Sequence, residues 1–260
     1  MSLALHARSA SLARRLTPRR VAAAVARSVL GTVTSVETTE RVAALTFDDG
    51  PDPRWTPPVL EILERYGARA TFFMLGKSAA EHQALVKRIS EAGHAIGNHS
   101  WDHPCFPLIR ARERRWQLRA CRAALTPFGG RIMRPPFGYQ SLASRVDAMI
   151  AGYDVVGWTM EVGDWYDSDA ARMAEALRVR LRPGRIILLH DVLFLPAGPD
   201  RGPVLGQRPH PDRRAMLEAL ETFLAAVSPA FEFVTVPELL RRGRPIRKNW
   251  YVREAADWSR

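Results

Sequence analysis

Two carboxylates stand side by side in Thr46-Phe47-Asp48-Asp49-Gly50-Pro51. Adjacent carboxylates at a strand end are forced close together, so one suits a cation and the other is free for proton transfer. The same four residues from Asp48 to Pro51 are also ordinary turn chemistry. Further on, His99-Ser100-Trp101-Asp102-His103 places two histidines four apart. Such a pair can converge on one face of a helical turn, and Asp49 could complete a His-His-Asp set with an open position, as at a catalytic zinc site. Two surface histidines at chance spacing would give the same string. Arg134-Pro135-Pro136-Phe137-Gly138 offers a permanent cation before a turn fixed by two prolines. Trp158 to Trp165 carries the acids Glu161 and Asp164, and Leu188-Leu189-His190-Asp191 ends an apolar run in a histidine that, taken singly, reads better as a core residue.

The elements that must position these residues are short β-rich runs alternating with helical spacing. Strands are expected at Val42–Phe47, Arg69–Phe73, His94–Asn98, Ile132–Arg134, Tyr153–Trp158, Arg185–His190 and Phe231–Val236. Helices are expected at Pro57–Tyr66, Ala79–Ala92, Ala111–Leu125, Ser141–Ala151, Asp169–Leu181 and Asp212–Val227. Continuous apolar runs such as Ile186 to Leu189 suit strands buried on both faces, and the alternation argues for parallel βα units. The fold class is α/β, either a (β/α) barrel or an open doubly wound sheet. All five chemical segments then follow the carboxyl ends of strands, where βα folds build their sites. Together they supply a metal triad, a free carboxylate, a fixed cation and a separate histidine, the parts of a metal-dependent hydrolase.

With 260 residues, 47% of them hydrophobic, the chain can bury a substantial core, and no run approaches a membrane-spanning helix. The net charge of +11 sits at the ends. Residues 1–36 hold six arginines and no acid, and residues 241–260 hold seven basic residues and two acids, which leaves residues 37–240 with 25 of each sign. The expected organisation is therefore a basic N-terminal arm or targeting segment (1–36), one catalytic domain (37–240) and a basic C-terminal tail (241–260). Cys105 and Cys121 read as buried free thiols, with metal ligation by Cys105 as a minor alternative. The stretch Asp191–Pro211, containing His210, is a long loop of the kind that is usually functional or disordered.

The five segments, in this order, resemble the polysaccharide deacetylase family, carbohydrate esterase family 4, also called the NodB homology domain. The resemblance implies a single-domain distorted (β/α)7 barrel and an enzyme that removes N-acetyl groups from N-acetylglucosamine-containing polymers or oligomers such as peptidoglycan or chitin. It implies that Asp49, His99 and His103 hold one divalent metal, usually zinc, with cobalt, nickel or manganese as alternatives. Asp48 would be the general base, Arg134 would pair with it, and His190 would protonate the leaving amine. A backbone N–H of the Pro136, Phe137, Gly138 turn would serve the oxyanion. Asp164 and Glu161 would orient Arg134 or His190, while Trp165 would help shape the acetyl pocket. Glu161 stands where the family more often has Asp, and Phe137 where it often has Tyr. Trp101, Trp158 and Trp165 offer flat faces for sugar rings. The alternatives are an O-acetyl esterase using the same site and, more distantly, a non-catalytic basic protein on an inert barrel. The expected partner is an acetylated amino-sugar polymer and not nucleic acid, bound by a monomer whose basic arms contact an anionic membrane or cell wall. A cell-envelope or exported location follows from the resemblance, with a cytoplasmic one as the alternative because residues 1–36 lack an uninterrupted apolar run.

Overall fold

The computed structural model describes residues 30–194 and 211–248. The expectations for residues 1–29 and 249–260, and for His210 with most of its loop, lie outside the described residues.

The core is a curled parallel sheet. In chain order its strands are β2 (Val42–Asp48), β3 (Ala70–Met74), β4 (Ala95–Asn98), β5 (Gly129–Met133), β6 (Asp154–Val155), β7 (Ile186–His190) and β8 (Glu232–Phe233). They lie side by side as β6-β5-β4-β3-β2-β7, with β8 paired to the start of β2. Every residue of β2 is buried, as its apolar run requires of a strand covered on both faces. Helices α1 (Thr56–Arg65), α2 (Gly76–Glu81), α3 (Gln83–Glu91), α4 (Ala111–Leu125), α5 (Leu142–Ile150), α6 (Ala170–Arg180), α7 (Arg214–Val227) and α8 (Val236–Arg241) complete the layers. Beyond the β6 edge the chain crosses to the other edge. Val156 N–H donates to Met133 O at 2.9 Å, Thr159 N–H to Ile186 O at 3.0 Å, and Leu188 N–H to Met160 O at 2.8 Å. This one segment draws β5 and β7 together and brings the strand ends around a common cleft, the distorted (β/α)7 arrangement.

Local chemistry fixes several boundaries. The Asp169 side chain accepts from Arg172 N–H and caps α6, and Ser141 with Ser144 forms a capping box on α5. Gly67 (φ 61°) and Gly93 (φ 80°) follow the ends of α1 and α3 in the left-handed region that glycine tolerates.

Two expectations need correction. The single helix over Ala79–Ala92 is two, α2 and α3, broken at His82 (φ −129°, ψ 46°). Gly76 brings the first against Cys121, where a Cβ would lie 2.6 Å from the Cys121 Cα, while Val86 and Ile89 bury a face of the second. The last strand stops after two residues, and the chain turns into α8 under a Thr235 N-cap.

The ends are drawn in further than residues 37 and 240. Thr32–Glu37 forms β1 and Arg244–Lys248 forms β9, an antiparallel pair with Glu37 opposite Arg244. Val33 and Val36 are buried in the core. Part of the terminal positive charge is thereby spent within the fold: Arg247 bridges both oxygens of Asp154 at 2.6 and 2.7 Å, and Arg244 pairs with Glu37.

Candidate active site

The end of β2 divides its two carboxylates. Asp48 closes the strand and Asp49 turns out of it with a positive φ of 77°. The Asp48 Oδ1 accepts a hydrogen bond from Arg134 Nη1 at 2.7 Å. Arg134, which follows β5, is fully buried and clamped: Nη1 also donates to Thr46 Oγ1 at 2.8 Å, Nη2 to Gly157 O at 2.8 Å and Nε to Val156 O at 3.3 Å. Its guanidinium carbon lies 4.3 Å from the Phe73 ring centroid. A cation with so many fixed acceptors has one orientation, and it aims Asp48 into the cleft.

Asp49 faces the histidines. Its Oδ1 is 3.3 Å from His99 Nε2 and 3.3 Å from His103 Nε2, while Oδ2 accepts from the Phe194 N–H at 2.9 Å. His99 Nδ1 lies 2.8 Å from the Arg134 carbonyl, to which it donates, so its Nε2 lone pair points at Asp49. Burial is the largest influence on His103, pushing its imidazole down to about 3 despite the Asp49 carboxylate, so the ring is neutral. Burial opposes the Asp49 charge, yet His103 and His99 hold its carboxyl well below the usual range. The Asp49 Oδ1 is buried without a hydrogen-bond partner. The ionised oxygen and the His99 lone pair repel one another unless a cation lies between them, and a neutral His103 can turn its Nε2 lone pair to the same cation. The three ligand atoms lie within 4.8 Å of one another, and among the described residues this is the group able to hold a metal. Cys105 is not in it. Both cysteines are buried free thiols, pushed up to about 12 by burial.

On the neighbouring strand, β7 pairs with β2 so that His190 stands in register with Asp48. Asp164 is buried behind His190, accepting its backbone N–H on Oδ2 at 2.8 Å and standing 3.2 Å from Nδ1 on Oδ1. Burial works against the His190 charge, but Asp164 outweighs it, and with Asp49 and Asp48 adding to the effect the imidazole is pushed up to about 9. Asp164, not Glu161, orients this histidine. Glu161 is exposed at the rim of the cleft, with its carbonyl accepting from Arg180 Nη1 at 2.7 Å, and backbone carbonyls with Thr46 orient Arg134.

The turn Pro136–Gly138 puts Phe137 at φ 58° with its ring 4.4 Å from that of His103, edge to face. Gly138 (φ 69°) leaves room for Trp158, because a Cβ there would meet the indole at 2.5 Å. Trp165 and Trp158 line the same cleft of about 500 Å³, but Trp101 does not line it and packs over Gly76 instead. Among the described residues, the four non-glycine positions with positive φ are Asp49, Ser100, His103 and Phe137, all within the segments that form this site. Such strain gathers where surrounding structure holds a functional geometry.

Three contributors had no signal in the sequence reading. Arg213, wholly buried at the start of α7, donates from Nη1 to Asp164 O at 2.8 Å and lies 3.4 Å from Asp164 Oδ2. Asp191 is buried against Thr56, and burial pushes its carboxyl up to about 7. Phe194 supplies the N–H that fixes Asp49. In sequence Arg213 is indistinguishable from the exposed Arg214 beside it.

Residues 35–156 match the family model described as polysaccharide deacetylase. The peptidoglycan-N-acetylglucosamine deacetylase PgdA of Listeria monocytogenes is 32% identical over 222 residues, 84% of this chain and 43% of that protein. This chain thus spans less than half the length of that relative. The chitooligosaccharide deacetylase of Azorhizobium caulinodans is 34% identical over 168 residues, 63% of this chain and 80% of that protein. The solved structure of the peptidoglycan deacetylase PdaC from Bacillus subtilis superimposes with a TM-score of 0.66 at 26% identity, over 79% of this chain and 93% of that one. With one fold, a family match across the first three segments of the site, and a relative at 34% identity of which this chain covers 80%, the chain belongs to the polysaccharide deacetylase family.

Proposed function

We propose that this protein is a metal-dependent N-deacetylase acting on N-acetylglucosamine units of a polysaccharide or oligosaccharide, in the manner of the peptidoglycan and chitooligosaccharide deacetylases to which it is similar. The observation that carries the reading is that the adjacent ends of β2 and β7 bring two proton-handling groups to one cleft, Asp48 held by Arg134 at 2.7 Å and His190 backed by Asp164 at 3.2 Å, beside the Asp49, His99, His103 group.

A divalent ion held by Asp49, His99 and His103, zinc in this reading, would polarise the acetyl carbonyl and acidify the attacking water. Asp48 accepts that water's proton as the oxygen bonds to the acetyl carbon. The Phe137 N–H is the proposed donor to the oxygen that becomes negative. His190, an imidazolium at neutral pH, gives its proton to the amide nitrogen as the carbon–nitrogen bond breaks, and acetate and a free amine leave. The aromatic faces of Trp158 and Trp165 would seat the acetyl methyl and the sugar ring.

The test is acetate release from chitooligosaccharides and from peptidoglycan fragments, measured with the metal content of the same sample. Release from either, lowered by about 10²–10⁴-fold in Asp48→Asn, is expected. An unimpaired Asp48→Asn variant, full activity after complete metal stripping, or release confined to O-acetyl esters would overturn the reading.

A further inference from the structure

Although residues 37–240 are neutral as a whole, charge within them is not evenly spread. Residues 110–131 contain seven arginines and one acid, Glu113. Most of that charge lies on α4. Its inner face buries Arg114, Gln117, Leu118, Cys121 and Leu125. Its outer face exposes Arg112, Arg115, Trp116 and Arg119, spaced i, i+3, i+4 and i+7, which forms one stripe on a helix.

Several arginines elsewhere on the surface are matched with acids, as Arg65 is with Glu221, Arg178 with Glu175 and Arg214 with Asp212. On this stripe Arg112 and Arg119 have no ion pair among the described residues, and Arg115 shares Asp147 with the buried Arg114. One carboxylate between two guanidinium groups leaves a net positive charge. In the midst of it the indole of Trp116 is 47% exposed, an apolar face set among unneutralised arginines.

The stripe is joined to the catalytic cleft. Trp116 meets Trp101 edge to face with ring centroids 6.0 Å apart, and Trp101 lies between His99 and His103. The next residue of the helix, Gln117, locks that loop: its Oε1 accepts from the N–H of Trp101 at 2.7 Å and of Asp102 at 3.2 Å, and its Nε2 donates to Asp102 Oδ1 at 2.6 Å. A chain lying along α4 is therefore one loop away from the candidate metal ligands.

We infer that the outer face of α4 is an extended binding surface for an acidic glycan strand, with Trp116 stacking on a sugar ring and Arg112 and Arg119 pairing with carboxylates of the same strand. The inference rests on the deacetylase reading for its substrate, and it adds a preference for anionic over neutral polymers. Arginine suits carboxylates geometrically, indole suits the apolar face of a pyranose, and Arg112 to Arg119 spans about 10 Å of helix axis, enough for a short saccharide segment.

Binding and turnover are to be measured separately on the full chain. Wild type, Trp116→Ala and Arg112→Ser/Arg119→Ser are titrated with soluble carboxylate-bearing peptidoglycan fragments, with neutral N-acetylglucosamine oligomers, and with vesicles of phosphatidylglycerol and phosphatidylcholine. Each variant should bind the acidic fragments about tenfold more weakly; the double arginine variant should also flatten the wild-type salt dependence and change binding of neutral oligomers by less than about twofold, whereas Trp116→Ala should weaken both glycans. Acetate release should show the loss in KM with kcat retained. Equal losses on acidic and neutral glycans in the double arginine variant, no loss in either variant, or a loss confined to vesicles would overturn the inference. A wild type that releases no acetate but still binds acidic strands through these residues would defeat the deacetylase reading and leave the surface assignment standing.

Discussion

Arg213 reaches across from the start of α7 to donate to the carbonyl of Asp164 at 2.8 Å, with the same nitrogen 3.4 Å from that residue's carboxylate. Asp164 in turn holds His190, so three elements distant in sequence converge on one proton donor. Both side chains of the Arg213–Asp164 pair are almost completely buried. Removing one partner of a buried pair leaves the other uncompensated, at a typical cost of about 3 kcal/mol or more. Arg213→Leu should lower unfolding stability by about that amount in a denaturant titration and reduce kcat more than KM. Unchanged stability would show that Asp164 does not depend on this arginine.

The hold of Asp164 on His190 should also be legible in the histidine's titration. His190 is raised from an ordinary value of 6.5 to about 9, so in metal-free protein its ring resonances should titrate near the upper value. In Asp164→Asn burial is no longer outweighed, and the midpoint should fall below 6.5. Because the folded-state value is the higher one, the pair's contribution to stability is complete below about pH 6.5 and disappears as pH rises through about 9. A histidine titrating near 6.5 in both proteins would contradict the arrangement.

The ligand group makes a prediction that does not depend on turnover. Competition against a chromophoric chelator should show one zinc ion bound per chain. Since even outer partners of a metal site are worth about 10–100-fold in affinity, His103→Ala should weaken binding by at least about 100-fold. Arg134→Met, which removes no ligand atom, should bind zinc more nearly like wild type while losing activity. Undiminished binding in His103→Ala would exclude the site.

The paired ends alter what truncation should do. A chain starting at residue 30 retains β1, whereas one starting at residue 38 loses Val33 and Val36, both buried, together with the ladder to β9. Burial of a valine is worth about 1.5–3 kcal/mol, so the shorter chain should be destabilised by about 3–6 kcal/mol from those two side chains alone. Equal thermal unfolding midpoints for the two chains would argue against β1 as part of the core.

What the sequence by itself determined was the order of parts. Asp48-Asp49, His99 with His103, Arg134 and His190 each end a run whose apolar pattern marks a buried strand, and parallel strands must present those ends on one side. Capping residues such as Asp169 and Gly67 were readable for the same reason, because their chemistry acts within a turn or two. Tertiary structure alone decided the rest. Which carboxylate meets Arg134 and which meets the histidines depends on a positive φ at Asp49. That Asp164, and not Glu161, lies behind His190 depends on how the crossing segment returns to β7. The burial of Arg213 and the capture of residues 32–37 and 244–248 come from contacts spanning up to about two hundred positions, and local composition carries no record of them. Arginine codes alike for the solvated Arg214, the buried Arg213 and the stripe on α4; only the surfaces brought against each one by folding tell them apart.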